Sequence, residues 1–362
     1  MSLVLQDVGL TVGAEAYLSG VSLALDGGGL HVLLGPTLSG KTTLMRLMAG
    51  LERPTAGRVL EDGADVTDVP VRRRSVAMVY QQFVNYPSLS VYENIASPLR
   101  VAGLPRAEVE ARVRQAAKLL RLEALLGRLP GHLSGGQQQR TAIARALVKR
   151  ARLVLLDEPL ANLDYKLREE LREELPALFA DTGAVLVYAT TEPMEALLLG
   201  GRTAAMWEGR VAQYGPTAEV YRRPANLAAA RVFSDPPLNE LVVHKRGAVV
   251  ALADGREVPA AGALAELPDG PWWLGVRAEH LRVGPVPPGG LGFAGTVSVT
   301  EITGSESYVH ADMGVAHWVA LLPGVVEFPP GAPVQFHLDP ARVFVFGPDG
   351  ALAADPGARA AA

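Results

Sequence analysis

Gly35-Pro36-Thr37-Leu38-Ser39-Gly40-Lys41-Thr42 matches the pattern GxxxxGK[ST], between the apolar run His31 to Leu34 and a helical stretch from Thr43 to Ala49. Glycines let backbone N–H groups turn inward around phosphate oxygens, and a helix N-terminus behind them adds a positive dipole end. Lys41 can then reach the terminal phosphates of a nucleotide, and Thr42 offers a hydroxyl to Mg²⁺. A second pattern closes the apolar run Leu153 to Leu156 with Asp157-Glu158. Two carboxylates at the C-terminal edge of a buried strand lie where ligands bind in parallel sheets. Asp157 suits a Mg²⁺ shell, and Glu158 suits a base that polarises water for attack on a γ-phosphate. Leu133-Ser134-Gly135-Gly136-Gln137, followed by Gln138-Gln139-Arg140 and a helix, gathers a hydroxyl, two glycine amides and a helix N-terminus in five residues. That is a second phosphate-grasping device, so the chain can bind two phosphate groups.

These residues need a scaffold, and the sequence supplies one of the α/β class. Short apolar runs at His31–Leu34, Val76–Tyr80, Leu153–Leu156 and Ala184–Ala189 lack alternation, as strands covered on both faces do. Between them Val109, Val113, Ala116 and Leu120 recur at helical spacing, as do Leu167, Leu171, Leu175 and Leu178, with a kink expected at Pro176. After Phe233 the texture changes to short strand-like stretches separated by Gly/Pro pairs, which reads as an all-β, barrel-like domain. The expected organisation is therefore a phosphate-loop domain over 1–235, with a helical subdomain near 84–150, and an all-β domain over 236–362.

Composition narrows the function classes. The 362 residues exceed one ordinary core, since domains run about 100 to 200 residues. Thirty-eight acidic against 34 basic residues give a net charge of −4, which offers no basic field for a polyanion and argues against nucleic-acid binding. Zero cysteines exclude disulfides and thiolate chemistry. The N-terminal MSLVLQDVGL carries an acidic residue too early for a secretory signal, and no apolar run approaches membrane-spanning length. The expected location is cytosolic, with membrane attachment only through a partner.

With LSGGQ at 133–137 lying 20 residues before Asp157, the chain resembles the ATP-binding cassette family, whose signature loop contacts the γ-phosphate held by the opposite subunit of a dimer. The resemblance implies a mixed, mainly parallel sheet with a helical subdomain, ATP and Mg²⁺ as cofactors, and ATP hydrolysis with Glu158 as base. It also implies roles at further positions. Gly35 to Thr43 would hold ATP together with Gln81 and Asp157, and Thr42, Gln81 and Asp157 would hold the metal. Met78-Val79-Tyr80-Gln81 looks like the Q-loop, with the segment after it near the membrane subunit, and Ala161-Asn162-Leu163-Asp164 looks like the D-loop that crosses the dimer interface. Tyr86-Pro87, Val91 to Ile95, Tyr221 to Asn226 and Gly275 to His280 resemble the carbohydrate-importer branch, whose ATPases carry an oligonucleotide/oligosaccharide-fold extension. The stretches Leu34–Thr42 and Met78–Pro87 look like one of the paired ATPases of bacterial glycerol importers. Two transmembrane permeases, a separate extracytoplasmic substrate-binding protein and a place on the cytoplasmic face of the inner membrane follow from that resemblance. The substrate itself does not, because selectivity sits in the other subunits.

The chain departs from the pattern in three places. Counting back from Glu195-Ala196, the family's switch histidine falls on Thr191; only His31 and His132 precede residue 235, and neither is a local replacement. The adenine-stacking aromatic falls on Val12, with Tyr17 nearby but offset. Leu38 replaces a frequent glycine of the phosphate loop. A chain with degenerate positions at Thr191 and Val12 but an unaltered LSGGQ is expected to pair with a second, different cassette ATPase. The alternatives are a non-catalytic regulatory binder, or a homodimer in which threonine is tolerated.

Overall fold

A computed structural model describes residues 1–82, 84–161, 163–180 and 183–354, without the side chains of 177–180. It divides into two compact units, Met1–Thr217 and Ala218–Ala362, so the second begins ahead of the change of texture at 235.

The first unit opens with the strands β1 (Ser2–Val12) and β2 (Glu15–Asp26), joined by a short turn, then β3 (Leu30–Leu34) and helix α1 (Lys41–Ala49). Strands β4 (Ala56–Glu61), β5 (Ala64–Asp65) and β6 (Val76–Val79) follow, then α2 (Val91–Val101), α3 (Arg106–Leu119) and α4 (Gly135–Val148). The unit closes with β7 (Leu153–Asp157), α5 (Tyr165–Ala180), β8 (Val185–Thr190), α6 (Pro193–Leu199), β9 (Arg202–Trp207) and β10 (Arg210–Pro216). A six-stranded sheet has the order β10-β9-β3-β8-β7-β6. All of its pairings are parallel except that of β10 with β9. A four-stranded antiparallel sheet, β2-β1-β4-β5, accompanies it.

Unbroken apolar runs make sense once both faces of the parallel sheet are covered. In β7, Leu153 and Leu155 enter the core shared with α1 and the antiparallel sheet, whereas Val154 and Leu156 enter the core shared with the helices. In β8, Val185, Val187 and Ala189 face the first core, and Leu186 and Tyr188 the second. The helical periodicities also find their faces: Val109, Val113 and Ala116 are buried on α3, and Leu167, Leu171 and Leu175 on α5. Leu178 lies outside the described side chains, and α5 runs through Pro176 without ending there. Helices α2 and α4 begin with reciprocal capping boxes, Ser90 with Glu93 and Ser134 with Gln137.

In the second unit, α7 (Thr217–Arg222) and α8 (Leu227–Val232) lead into two antiparallel sheets. One runs in the order Glu257–Pro259, Val249–Ala251, Asn239–Arg246, Gly270–Val276, Phe344–Phe346 and Leu352–Ala354. The other has the order Arg282–Val283, Pro333–Leu338, Leu291–Ile302, Glu306–Asp312 and His317–Pro323. Phe293, Trp318 and Phe336 fill the core of this unit, and Trp318 donates its indole N–H to the Glu240 carbonyl at 3.1 Å. Two of the motifs quoted above meet here. The Arg277 guanidinium lies 3.7 Å from the Tyr221 ring centroid, and the Tyr221 hydroxyl donates to Glu279 Oε1 at 3.1 Å.

Candidate functional site

The phosphate loop joins β3 to α1, and its shape follows from two glycines. A Cβ on Gly35 would lie 2.3 Å from the Met206 carbonyl oxygen. Gly40 has φ +99°, and a Cβ there would meet Leu18 Cδ2 at 2.7 Å. Leu38 sits in the same left-handed region at φ 68°, with its side chain 96% exposed, so the loop's missing glycine leaves a leucine in a backbone conformation that costs about 1–2 kcal/mol. The Ser39 hydroxyl is buried within the loop and has no hydrogen-bond partner among the described residues.

Lys41 folds back over this loop. Its Nζ donates to the carbonyls of Gly35 at 2.7 Å and Pro36 at 2.9 Å. Burial lowers the lysine's pKa, opposed by the nearby Glu158 and Asp157 carboxylates. Thr42 Oγ1 donates to Asp157 Oδ2 at 2.8 Å, a bond spanning 115 residues that joins the start of α1 to the end of β7. Gln81, just past β6, donates from Nε2 to Glu158 Oε2 at 2.9 Å. The structure therefore brings Lys41, Thr42, Gln81, Asp157 and Glu158 together. Asp157 is 2% exposed, and burial raises its pKa against the opposing Thr42 hydrogen bond and Lys41 charge. Burial also raises that of Glu158; Lys41 opposes the shift, while Asp157, Glu195 and Glu192 add to it. Glu158 holds φ 45°, a strained backbone setting at the very residue that closes the strand.

Thr191 lines the same cleft as Glu158, together with Ala161, Arg168, Glu192 and Glu195. Among the described residues no histidine lines that cleft. His31 is buried on β3, its Nδ1 2.7 Å from the Tyr214 hydroxyl and its Nε2 2.9 Å from the Asp26 carbonyl, and His132 is exposed beside the signature loop. Val12 stands 60% exposed at the tip of the β1–β2 turn. Tyr17 is 44% exposed, and its carbonyl oxygen lies 3.3 Å from where a Cβ on Gly40 would be, so the offset aromatic borders the phosphate loop through its backbone.

The signature residues occupy a different concavity of about 550 Å³, lined by Ser134, Gly135, Gly136, Arg140, Leu163, Asp164 and Leu167. Leu133 is buried behind it, and Gln137 closes the cap by accepting the Ser134 N–H at 3.0 Å. Leu163 and Asp164 thus meet the signature, while Asn162 lies outside the described residues. No hydrogen bond among the described residues links Ser134–Gln137 to the phosphate loop of the same chain.

The sequence reading assigned no role to two further contributors. Gln139, 1% exposed on α4, donates to the Glu158 carbonyl at 3.4 Å and to the Pro159 carbonyl, tying the signature helix to the end of β7. Arg168 donates to the Ala161 carbonyl at 3.2 Å and pairs with Glu192 at 3.6 Å, which links the D-loop to the segment carrying Thr191. Arg168 lies four residues after Asp164, one turn into α5, and that spacing was the available signal.

Comparison with known proteins agrees with this geometry. The ABC transporter family matches residues 18–161 and the TOBE domain family residues 274–346. The sn-glycerol-3-phosphate import ATP-binding protein of Paracoccus denitrificans is 37% identical over 351 residues, covering 96% of this chain and 97% of that relative. The alpha-glucoside transport ATP-binding protein of Rhizobium meliloti is 36% identical over 358 residues, covering 96% and 98%. A solved dimer of the ATP-binding cassette MJ0796 in a post-hydrolysis state with ADP and Pi is 30% identical, with a TM-score of 0.55, and covers 59% of this chain and 98% of its own. With a phosphate loop, paired carboxylates and signature helix set on one α/β unit and an all-β TOBE unit after it, the chain belongs to the ATP-hydrolysing, ATP-binding proteins of ABC transporters, homologous to those of sugar and glycerol-phosphate importers.

Proposed function

We propose that this chain powers import of a small polar solute, a sugar, a polyol such as glycerol, or a glycerol phosphate, as one half of an asymmetric ATPase pair. The solute class rests on the names of the relatives, and the glycerol lead on the stretches Leu34–Thr42 and Met78–Pro87. The pairing rests on one observation: Thr191 lines the cleft of Glu158 where the family places its histidine, while Ser134–Gln137 keep an intact, capped helix end. Each site in such a pair joins one subunit's phosphate loop and carboxylates to the other's signature. This chain then contributes an impaired site of its own and a competent signature to its partner's site.

The geometry gives each residue its work. Lys41 keeps one N–H for the terminal phosphates, since two close on Gly35 and Pro36. The loop's buried Ser39 hydroxyl suits a phosphate oxygen. Thr42, Asp157 and Gln81 offer hard oxygen donors, which fits Mg²⁺, an ion that binds through one or two carboxylates plus substrate phosphates. No cluster of three His, Cys, Asp or Glu exists among the described residues to hold a metal without them. When bound, Mg²⁺ offsets the charge on the β- and γ-phosphates. Glu158, oriented by Gln81, accepts the proton of the attacking water. The D-loop residues Leu163 and Asp164, which line the signature concavity, border the dimer seam. Two permeases dock at the segment after Gln81, with Tyr86, 50% exposed under the Arg145 guanidinium, as a contact; Phe83 lies outside the described residues. No described helix is long and apolar enough to cross a membrane, so attachment to the cytoplasmic face of the inner membrane comes through those permeases. A substrate-binding protein feeds the assembly from the other side.

The test is ATPase activity of this chain alone, of its partner alone and of both within the transporter. Cooperative hydrolysis and transport with this chain as the only ATPase would overturn the pairing and favour a homodimer in which the Thr191 hydroxyl serves.

A further inference from the structure

A concavity of about 630 Å³ lies wholly within the C-terminal unit, and of its lining only His280 belongs to a motif quoted above. Three stretches build it: the turn Ala278–His280 running into Arg282, the loop 287–290, and the end of the strand Pro333–Leu338 with the turn Pro340–Arg342. Its charged lining is one-sided, with the guanidiniums of Arg282 and Arg342 against the single carboxylate of Asp339, and the imidazoles of His280 and His337 lie beside them.

Among the described residues, neither guanidinium is paired with a carboxylate. Arg282 Nη1 donates to the main-chain carbonyls of Glu279 at 2.6 Å and Leu281 at 2.9 Å, which fixes the guanidinium and leaves its charge unpaired. Arg342 is exposed, and no ion pair holds it among the described residues. Asp339 already accepts the Ala341 N–H at 2.9 Å. His337 Nδ1 lies 3.3 Å from the Gly284 carbonyl, and His280 Nδ1 is buried with no partner among the described residues. Burial lowers the pKa of His280; Glu279 opposes this, and Arg277, Arg342 and Arg282 reinforce it, so the two guanidiniums of the cleft act on the same ring. Unpaired cations gathered in a concavity are the arrangement that a bound anion stabilises.

We infer that this cleft binds a phosphate-bearing small molecule, its phosphate held by Arg282 and Arg342 with the two imidazoles, and its carbon body against Pro287 and Pro288. The volume falls within the roughly 300–1,000 Å³ of small-molecule sites, more than one tetrahedral anion fills. Inorganic phosphate and a phosphomonoester share the recognising group, and the experiment separates them.

Calorimetry on the full chain, with the phosphate loop saturated by Mg·ADP, would use glycerol 3-phosphate, inorganic phosphate and glycerol as probes. Glycerol 3-phosphate is expected to bind saturably and glycerol not at all. Arg342→Glu should weaken binding at least tenfold with the melting temperature unchanged, and Arg342→Lys should weaken it less. Inorganic phosphate binding as tightly, with the same loss in Arg342→Glu, would uphold the site and assign it the inorganic anion. No saturable binding of either anion would overturn the inference. So would binding that Arg342→Glu and His337→Ala both leave unchanged.

Discussion

Replacing Glu158 by glutamine isolates its proposed role as base from everything else the site does. The substitution keeps the backbone atoms, including the φ of 45°, and the carbonyl oxygen of the introduced amide can still accept the Gln81 N–H now held at 2.9 Å. Lys41, Thr42, Gln81 and Asp157 are untouched, so ATP affinity should stay within about twofold, or ~0.4 kcal/mol. What disappears is the proton acceptor. Proton transfer to a positioned side chain typically contributes about 10²- to 10⁴-fold in rate, equivalent to roughly 2.7–5.4 kcal/mol of barrier. Thermal stability should not fall, because the change also removes a carboxylate crowded by Asp157, Glu192 and Glu195. The assay is single-turnover hydrolysis in a complex whose partner carries the matching substitution, so that only this site can report, beside nucleotide binding measured directly. Loss of ATP binding with the fold intact, or an unchanged hydrolysis rate, would refute the assigned role.

Further expectations follow from the same geometry. Because burial raises the Glu158 pKa, its protonated, inactive form persists to higher pH than for an ordinary glutamate, and hydrolysis at this site should decline as pH falls through a value above the usual carboxylate range. A pH–rate profile whose acidic limb lies at the normal glutamate value contradicts this. Leu38→Gly should raise stability by up to about 1 kcal/mol by relieving the left-handed leucine, read as a higher melting temperature; a clear fall would mean that the leucine makes a contact of value. Ser134→Asp should keep the α4 cap and the fold, since aspartate caps as well as serine, yet nearly abolish turnover by placing a carboxylate against the partner's γ-phosphate. Full activity in that variant would remove the signature from the partner's site. Thr191→His, by contrast, is expected to change transport little in the paired transporter; a large gain would show that this site limits the cycle.

Sequence patterns pointed to the candidate site because its proposed chemistry sits in short local words. Lys41, Thr42, Asp157 and Glu158 each stand at a fixed offset within such a word, and the strands before them follow from unbroken apolar runs. What spacing could not supply was contact across the fold. The Thr42–Asp157 hydrogen bond spans 115 residues, and the buried amide of Gln139 finds the Glu158 and Pro159 carbonyls only because α4 packs beside the end of β7. Arg168 reads as an ordinary helix-surface cation until α5 brings it to Ala161 and Glu192. Nor does the cationic cleft leave a trace along the chain, since its residues at 280–290 and 337–342 are neighbours only after the β unit has folded. Tyr17 illustrates a different limit: its offset from Val12 was visible, but its backbone contact with the loop at Gly40 was not.

The two hydrogen bonds that Lys41 makes to Gly35 and Pro36 have a consequence for how a lysine variant should be interpreted. The ammonium is a brace as well as a charge, since it spans the loop from its far end to its near end and fixes the loop's curvature. Conformational freedom that a slack loop would surrender on meeting a phosphate is thus surrendered when the chain folds, and capture becomes closer to a collision with a rigid cradle than to a search. Removing the amine would slacken the cradle and subtract a positive charge together. An ionic-strength series on the association rate could part these two effects, because screening weakens the charge and leaves the brace in place.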